Sequence, residues 1–224
     1  MIQFHNVYKR YPGGHDALNG VSAQLEKGEM VFLTGHSGAG KSTMLKLIAL
    51  IERPSKGEVV FDNINLRSVT RRKIPYHRRK IGMVYQNNLL LERKTVFENV
   101  ALPLQITGFS AAAVKTHTHA ALDKVGLLGH ARKHPATLSS GEQQRVGIAR
   151  AIAGKPEILL ADEPTGNLDP ELSAEVMALF EQFNQVGVTV LVASHDLNLI
   201  EAMPYRKIVL QKGRIVSHQR NRAE

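Results

Sequence analysis

Short apolar runs alternate with amphipathic helical stretches along much of the chain. Residues 2–7 alternate between polar and apolar side chains, which is typical of a half-buried strand, and residues 18–25 show a similar pattern. Residues 30–34, 158–161 and 188–193 are continuously apolar and predict strands buried on both faces. Buried strands that alternate with helices predict an α/β fold whose sheet is mainly parallel.

The remaining periodicity adds helices and antiparallel β structure. Apolar residues from Met44 to Ile51 recur at helical spacing before Pro54, and residues 172–184 form a second amphipathic helix. Further predicted elements are a turn at 8–14, a strand at 58–61 followed by the turn Asp62-Asn63, a strand at 81–85 ending at Gln86, and a C-terminal hairpin at 207–217. The antiparallel pieces flank the strand at 30–34.

Residues 88–155 have a helical pattern with few strand signals. Breaks are expected at Pro103, Gly108, Gly126, Gly129 and Pro135. We therefore expect one domain, 1–224, whose core comprises 1–87 and 156–224 with an antiparallel β subdomain. A helical subdomain, 88–155, is inserted into that core.

A glycine-rich loop lies between the strand at 30–34 and the helix that follows it. The loop fits the pattern G-x-x-x-x-G-K-[ST], whose backbone N–H groups surround a polyphosphate. Lys41 is expected to reach the β- and γ-phosphates, and the Ser42 hydroxyl to bind Mg²⁺. The loop residues are Gly35, His36, Ser37, Gly38, Ala39, Gly40, Lys41, Ser42 and Thr43.

Two acids, Asp162 and Glu163, follow the buried strand at 158–161. Adjacent carboxylates at such a position cost free energy unless they have a partner or a task, although acids in ordinary turns are common. Beside a phosphate-binding loop, Asp162 is placed to hold Mg²⁺ and Glu163 to act as the general base toward water.

Polar side chains also follow two other strands. His195 comes after the strand at 188–193, where an imidazole could contact a γ-phosphate oxygen or the attacking water. Gln86 could contact both Mg²⁺ and water through its amide. Other histidines, including His117, His119 and His130, are predicted to have no function.

The stretch Leu138–Arg145 contains a capping box formed by Ser139 and Glu142, which opens a helix. This is sufficient to explain a well-capped helix. The Ser and Gly amides at its N-terminus would also suit an anion.

These motifs stand in the order and at the spacing of an ABC-type ATPase nucleotide-binding domain, which the chain resembles from Val7 to about Val216. The resemblance implies a P-loop NTPase core, ATP and Mg²⁺ as ligands, and an ATPase reaction. In the family two copies pack head to tail, and the signature of one closes over the ATP of the other. The implied residues are Lys41, Glu163, His195 and Gln86 for catalysis; Ser42, Gln86 and Asp162 for the metal; and Ser139, Ser140, Gly141, Glu142 and Gln143 as the signature acting in trans.

The same resemblance assigns three further features. Tyr11 is expected to stack on adenine, and Asn167 and Asp169 belong to the D-loop. Ser140 stands where the family usually has Gly. If that position required positive φ, Ser140 would be strained by about 1 kcal/mol.

Within the family, residues 35–43, 141–151 and 183–191 resemble the bacterial cell-division ATP-binding branch. This implies an integral membrane partner, contact with other division proteins, and a place on the cytoplasmic face of the inner membrane at the septum. Residues 161–169 resemble lipoprotein-releasing and efflux ATPases equally well. A transporter ATPase of that kind is the alternative.

Charge and composition leave a third hypothesis open. The formal net charge is +9, with basic clusters at 71–73, 77–80 and 207–222. These could be a solvated face, a surface for anionic lipid headgroups or one for nucleic acid, and composition does not choose among them. A soluble ABC ATPase acting on nucleic acid is the least favoured function, because soluble members of the family usually carry two nucleotide domains or long insertions, and this sequence shows neither. The chain has no cysteine, no long apolar run and no signal-peptide pattern, which fits a soluble or peripheral protein in a reducing compartment.

Overall fold

The computed structural model describes residues 1–219, which form two β-sheets and seven α-helices. The first sheet is antiparallel, in the order β2-β1-β4-β5. Its strands are β1 (Ile2–Arg10), β2 (Asp16–Leu25), β4 (Lys56–Phe61) and β5 (Ile64–Asn65). Asp62 and Asn63 both have positive φ, as a two-residue hairpin turn requires. The predicted antiparallel β structure is confirmed.

The second sheet has six strands in the order β10-β9-β3-β8-β7-β6. All neighbours are parallel except the antiparallel edge pair β9 and β10. Its strands are β3 (Met30–Thr34), β6 (Ile81–Val84), β7 (Ile158–Asp162), β8 (Thr189–Ala193), β9 (Arg206–Gln211) and β10 (Arg214–Gln219). The expected mainly parallel sheet is confirmed, and its parallel strands end at one edge, where ligands of such sheets bind.

Helices cover both faces of this sheet. They are α1 (Lys41–Ile48), α2 (Ile74–Arg78), α3 (Val96–Ile106), α4 (Ala111–Lys124), α5 (Ser140–Ile152), α6 (Pro170–Gln185) and α7 (Leu197–Glu201). Short 3₁₀ turns lie at Leu66–Ser68, Arg71–Lys73, Leu128–His130 and Pro135–Thr137. Within residues 1–219, none of the helices combines the length and the apolar character needed to cross a bilayer.

Alternate residues of each central strand feed two separate cores. Phe32 and Val192 pack with α3, α5 and α6 on one face of the sheet. Val31 and Leu33 pack with α1 and the antiparallel sheet on the other face. This alternation follows from the two-residue period of a strand and explains why these strands are apolar throughout.

Three sequence expectations differ from the structure. Strand β1 continues to Arg10, so Tyr8 lies in the sheet and not in the turn. Helix α1 ends at Ile48, because Leu50 has φ +51°, and Ile51 is exposed. Pro103 lies inside α3 and does not end it, since the helix continues to Ile106. Part of the basic run at 207–222 lies outside the described residues.

Candidate functional site

The phosphate-binding loop follows β3 and ends in α1, as predicted. Gly35 has φ +145°, and a Cβ there would lie 2.2 Å from the carbonyl oxygen of Leu210. Gly40, the N-cap of α1, has φ +111°, and a Cβ there would lie 2.5 Å from the carbonyl oxygen of Ala17. Both the backbone conformation and the close approach therefore require glycine at these two positions.

Lys41 points back across the loop. Its ammonium donates to the Gly35 carbonyl at 2.7 Å and lies 3.2 Å from Oε1 of Glu163. The side chain is only 6% exposed. A buried cation among carbonyl oxygens and one carboxylate is suited to the negative charge of a phosphate.

Ser42 and Asp162 face each other from α1 and β7. The Ser42 hydroxyl donates to Oδ1 of Asp162 at 2.9 Å. Burial raises the pKa of Asp162, and the negative charge of Glu163 raises it further. The Ser42 hydrogen bond lowers the pKa but does not offset the increase. A bound cation beside Asp162 would favour the ionised form.

Glu163 has φ +50°, an unusual conformation for this residue type. Its Oε2 lies 2.8 Å from Nδ1 of His195 and accepts the His195 backbone N–H at 3.2 Å. The Glu163 backbone N–H donates to the carbonyl of Ala193 at 2.8 Å. The ends of β7 and β8 thus hold the carboxylate between Lys41 and His195.

A cavity of about 350 Å³ brings most of the predicted residues together. Gln86, Asp162, Glu163 and His195 line it opposite the loop residues 37–43. His15 and Ala17 also line it, and the sequence prediction missed both. They follow a turn with no recognisable motif and reach the cavity because β2 packs against the loop, so no local signal could have identified them.

Tyr11 does not line this cavity. Its hydroxyl lies 3.4 Å from that of Thr43, a lining residue, so the ring is placed beside the cavity. Lys9 lies over the ring, with its ammonium 4.9 Å from the ring centre. Lys9 also pairs with Glu52 at 2.7 Å and donates to the Arg53 carbonyl at 2.9 Å.

The stretch 139–143 lies outside this cavity. Ser139 caps α5, accepting from the Glu142 N–H at 3.2 Å, while the Glu142 carboxylate accepts from the Ser139 N–H at 2.8 Å. The latter bond lowers the pKa of Glu142. The predicted capping box is therefore present. His130, for which we predicted no function, lies 3.2 Å from Glu142, a contact that the sequence did not indicate.

Ser140 is the first residue of α5 and is absent from the residues with positive φ. The positive φ that would have strained Ser140 is therefore not found, and serine adopts an ordinary helical conformation at this position. Ser140 lines a second cleft, of about 430 Å³, with Gln86, Gln143 and Asn167. Gly141 packs against Leu172, and Asp169 caps α6 by accepting from the Leu172 N–H.

The loop, the two strand-end acids and the strand-end histidine define a P-loop nucleotide-hydrolysing site on an α/β sheet. The ABC transporter family profile matches residues 18–166. The chain belongs to this family, and it is an ATP-binding and ATP-hydrolysing subunit of the ABC type.

Within this family, the chain is similar to several known proteins. The cell division ATP-binding protein FtsE of Escherichia coli K12 is 55% identical over 215 residues, covering 96% of this chain and 97% of the relative. FtsE of Bacillus subtilis is 46% identical over 216 residues, covering 96% and 95%. A dimeric structure of the ATP-binding cassette MJ0796 in a post-hydrolysis state with ADP and Pi matches at a TM-score of 0.90. It is 36% identical and covers 100% of both chains.

Proposed function

We propose that this chain is the Mg²⁺-dependent ATPase subunit of an FtsE-like membrane complex in bacterial cell division. It would work with an FtsX-like integral membrane protein, and with other division proteins, to regulate septal cell-wall hydrolysis. The observation that carries the catalytic part is the meeting of Lys41, Ser42, Asp162, Glu163 and His195 around one cavity. The division role rests on the names of the relatives.

The donor set suits a magnesium ion. Ser42 and Asp162 present oxygen atoms 2.9 Å apart, and the Gln86 amide lies on the same cavity. Hard divalent cations prefer oxygen ligands of this kind and complete their shell with phosphate oxygens and water. These three residues would hold the ion, which when bound neutralises developing charge on the phosphates.

The chain's own residues account for the remaining chemistry. The loop N–H groups and Lys41 bind and orient the β- and γ-phosphates. Glu163 accepts a proton from the water that attacks the γ-phosphate in line. His195, 2.8 Å from Glu163, orients that carboxylate and the reacting groups. Tyr11 stacks on the adenine from the side of the cavity.

We further propose that two copies bind ATP between them, with 139–143 of one copy closing over the cavity of the other. In a single chain these residues lie outside the cavity, while Ser139 and Ser140 are exposed at the start of α5. The D-loop residues Asn167 and Asp169 are exposed as well. Dimers in the related MJ0796 structures support this arrangement.

The membrane partner would dock at the cleft near residues 86–92, between the core and the helical subdomain 88–155. Asn88 Oδ1 and Gln144 Nε2 are buried there and have no hydrogen-bond partner among residues 1–219. Buried polar atoms normally have partners, so a rearrangement at this cleft could supply them. The subunit would thus lie on the cytoplasmic face of the inner membrane, at the septum.

Purification from membranes tests the division role. A tagged chain expressed at native level should recover an FtsX-like membrane protein as its main integral partner. Recovery of a lipoprotein-releasing or efflux permease, with no FtsX-like protein, would contradict the division role and leave the ATPase assignment intact.

A further inference from the structure

The segment 63–91 carries seven Lys or Arg residues and no Asp or Glu. Two of the seven are used inside the fold. Arg78 donates to the carbonyls of Ala49 and Leu50, at 3.1 and 2.9 Å. Lys80 pairs with Asp62 and Glu157, at 3.5 and 3.0 Å.

The other five basic side chains are exposed and none forms an ion pair within the described part of the chain. We call them, together with Tyr76, the basic surface. Its cations are Arg67, Arg71, Arg72, Lys73 and Arg79. Five like charges without counter-charges repel each other, so their concentration on one short segment is costly unless an anionic partner offsets it.

The backbone beneath the basic surface is firmly attached. The Arg53 guanidinium donates to the carbonyls of Leu66, Arg67 and Val69, at 3.1, 3.1 and 2.6 Å. Leu66 and Val69 are buried. At the other end, Nε2 of His77 lies 2.7 Å from the Ile48 carbonyl oxygen. The cations therefore project from an ordered platform.

Tyr76 distinguishes this surface from a purely solvated basic face. It is 63% exposed, and the Arg79 guanidinium lies over its ring, 4.8 Å from the centre. An aromatic ring with a polar tip and a cation over its face suits the headgroup region of a bilayer. The residues that carry the basic surface lie on or next to two 3₁₀ turns and a five-residue helix between 66 and 78, so the surface offers neither the long helix nor the β-ribbon that enters a DNA groove.

We propose that the basic surface binds anionic phospholipid headgroups. This inference rests on the proposed membrane role, because it assumes that the subunit works beside a bilayer. His77, next to Tyr76 in the chain, contacts the carboxyl end of α1, whereas the phosphate-binding loop lies at the amino end, about 12 Å away along an eight-residue helix. None of the residues of the basic surface lines the nucleotide cavity. Lipid binding and ATP hydrolysis are therefore separable by mutation.

Vesicle sedimentation with the purified chain tests the proposal. The chain should sediment with phosphatidylcholine vesicles that contain about 30 mol% phosphatidylglycerol, and not with phosphatidylcholine alone. Binding should fall steeply with added salt. The triple substitution Arg71→Glu, Arg72→Glu, Lys73→Glu should weaken the partition at least about 100-fold, which is about fivefold for each basic residue removed. ATPase activity without vesicles should be unchanged.

A matched variant, Lys115→Glu, Lys124→Glu, Arg132→Glu, changes the net charge equally at exposed sites on the helical block. It should keep most of the vesicle binding. Equal loss in both variants would mean a net-charge effect and would overturn the proposal. So would binding of single-stranded RNA through the basic surface without vesicle binding. Neither result would contradict the ATPase assignment or the proposed membrane partner, which are tested by separate experiments.

Discussion

At the scale of single residues, Glu163 shows how backbone and side chain act together. Its positive φ and its backbone hydrogen bond to the Ala193 carbonyl fix the direction in which the side chain leaves the backbone. Lys41 and His195 then fix the position of the carboxylate. Strained conformations of this kind persist when the surroundings determine them, and they cluster at functional sites. The sequence predicted the residue and its role but gave no indication of this conformation.

Lys9 leads to a prediction about nucleotide affinity. Its ammonium, held by Glu52 and the Arg53 carbonyl, lies over the Tyr11 ring, which we propose stacks on adenine through its other face. Lys9→Met should raise the KM for ATP about fivefold, the value of a cation–π contact of about 1 kcal/mol, with kcat unchanged. Steady-state kinetics would measure this. Arg10→Met, which removes an exposed cation paired with Asp16, should leave KM unchanged, and equal shifts in both variants would contradict the role of Lys9.

Residues at strand ends were predictable because a parallel sheet brings the ends together whatever the loops do. Gln86, Asp162, Glu163 and His195 lie at or just after the ends of three such strands, β6, β7 and β8, and line one cavity. Lys9, His15 and Ala17 lie on the antiparallel sheet and the turn between its strands. Their place at the site depends on how that sheet packs on the loop, which no local pattern records.

At the scale of elements, the carboxyl end of α1 predicts a pH dependence. His77 contacts the Ile48 carbonyl there, and its ring packs edge-on against Phe61. Burial lowers the pKa of His77, and the nearby charges of Lys80 and Arg78 lower it further. The bond to the Ile48 carbonyl and the charge of Asp62 raise the pKa but do not offset the decrease. The folded state therefore resists protonation. As the pH falls below about 6.5, the unfolded chain binds the proton more readily and the free energy of unfolding decreases.

His77→Gln should flatten that decrease between about pH 6.5 and the lowered pKa of the folded state, because glutamine does not titrate. Urea denaturation across this range would measure it. His5→Gln, at an exposed histidine, should retain the pH dependence of the unchanged chain. A variant at 77 with the full original slope would show that another group is responsible.

Element types were more predictable than element ends. The continuous apolar strands and the capping box at Ser139 are local signals, and their elements formed as such signals require. The end of α1 depends on the positive φ of Leu50, whose carbonyl accepts a hydrogen bond from Arg78 of α2. This contact joins residues far apart in the sequence, so no local pattern indicates it. Pro103 is tolerated because α3 is held by tertiary packing of Val100 and Leu104, which outweighs a local breaking tendency.

At the scale of the whole molecule, the chain separates the groups that the proposed reaction needs. The phosphate-binding loop and Glu163, the proposed general base, lie on one cavity, while Ser140 and Gln143 lie on another cleft with Asn167 of the proposed D-loop. Gln86 lines both. Such a division is expected if closure by a second copy completes the site, and it places Gln86 where nucleotide and membrane partner could affect each other.

Cross-linking between copies tests this arrangement, and the chain suits it because it contains no cysteine. In a Glu163→Gln background, turnover should fall about 100-fold or more through loss of the general base, which traps the ATP-bound dimer. One chain carries Ser37→Cys at the phosphate-binding loop and the other carries Ser140→Cys, both exposed positions. Mild oxidation of the mixture with ATP and Mg²⁺ should give a covalent dimer, because head-to-tail packing brings the loop of one copy to the signature of the other. Either variant alone, or the mixture without ATP, should give little product. A monomer that persists with ATP, or cross-linking that is equal in all mixtures, would contradict a site shared between two copies.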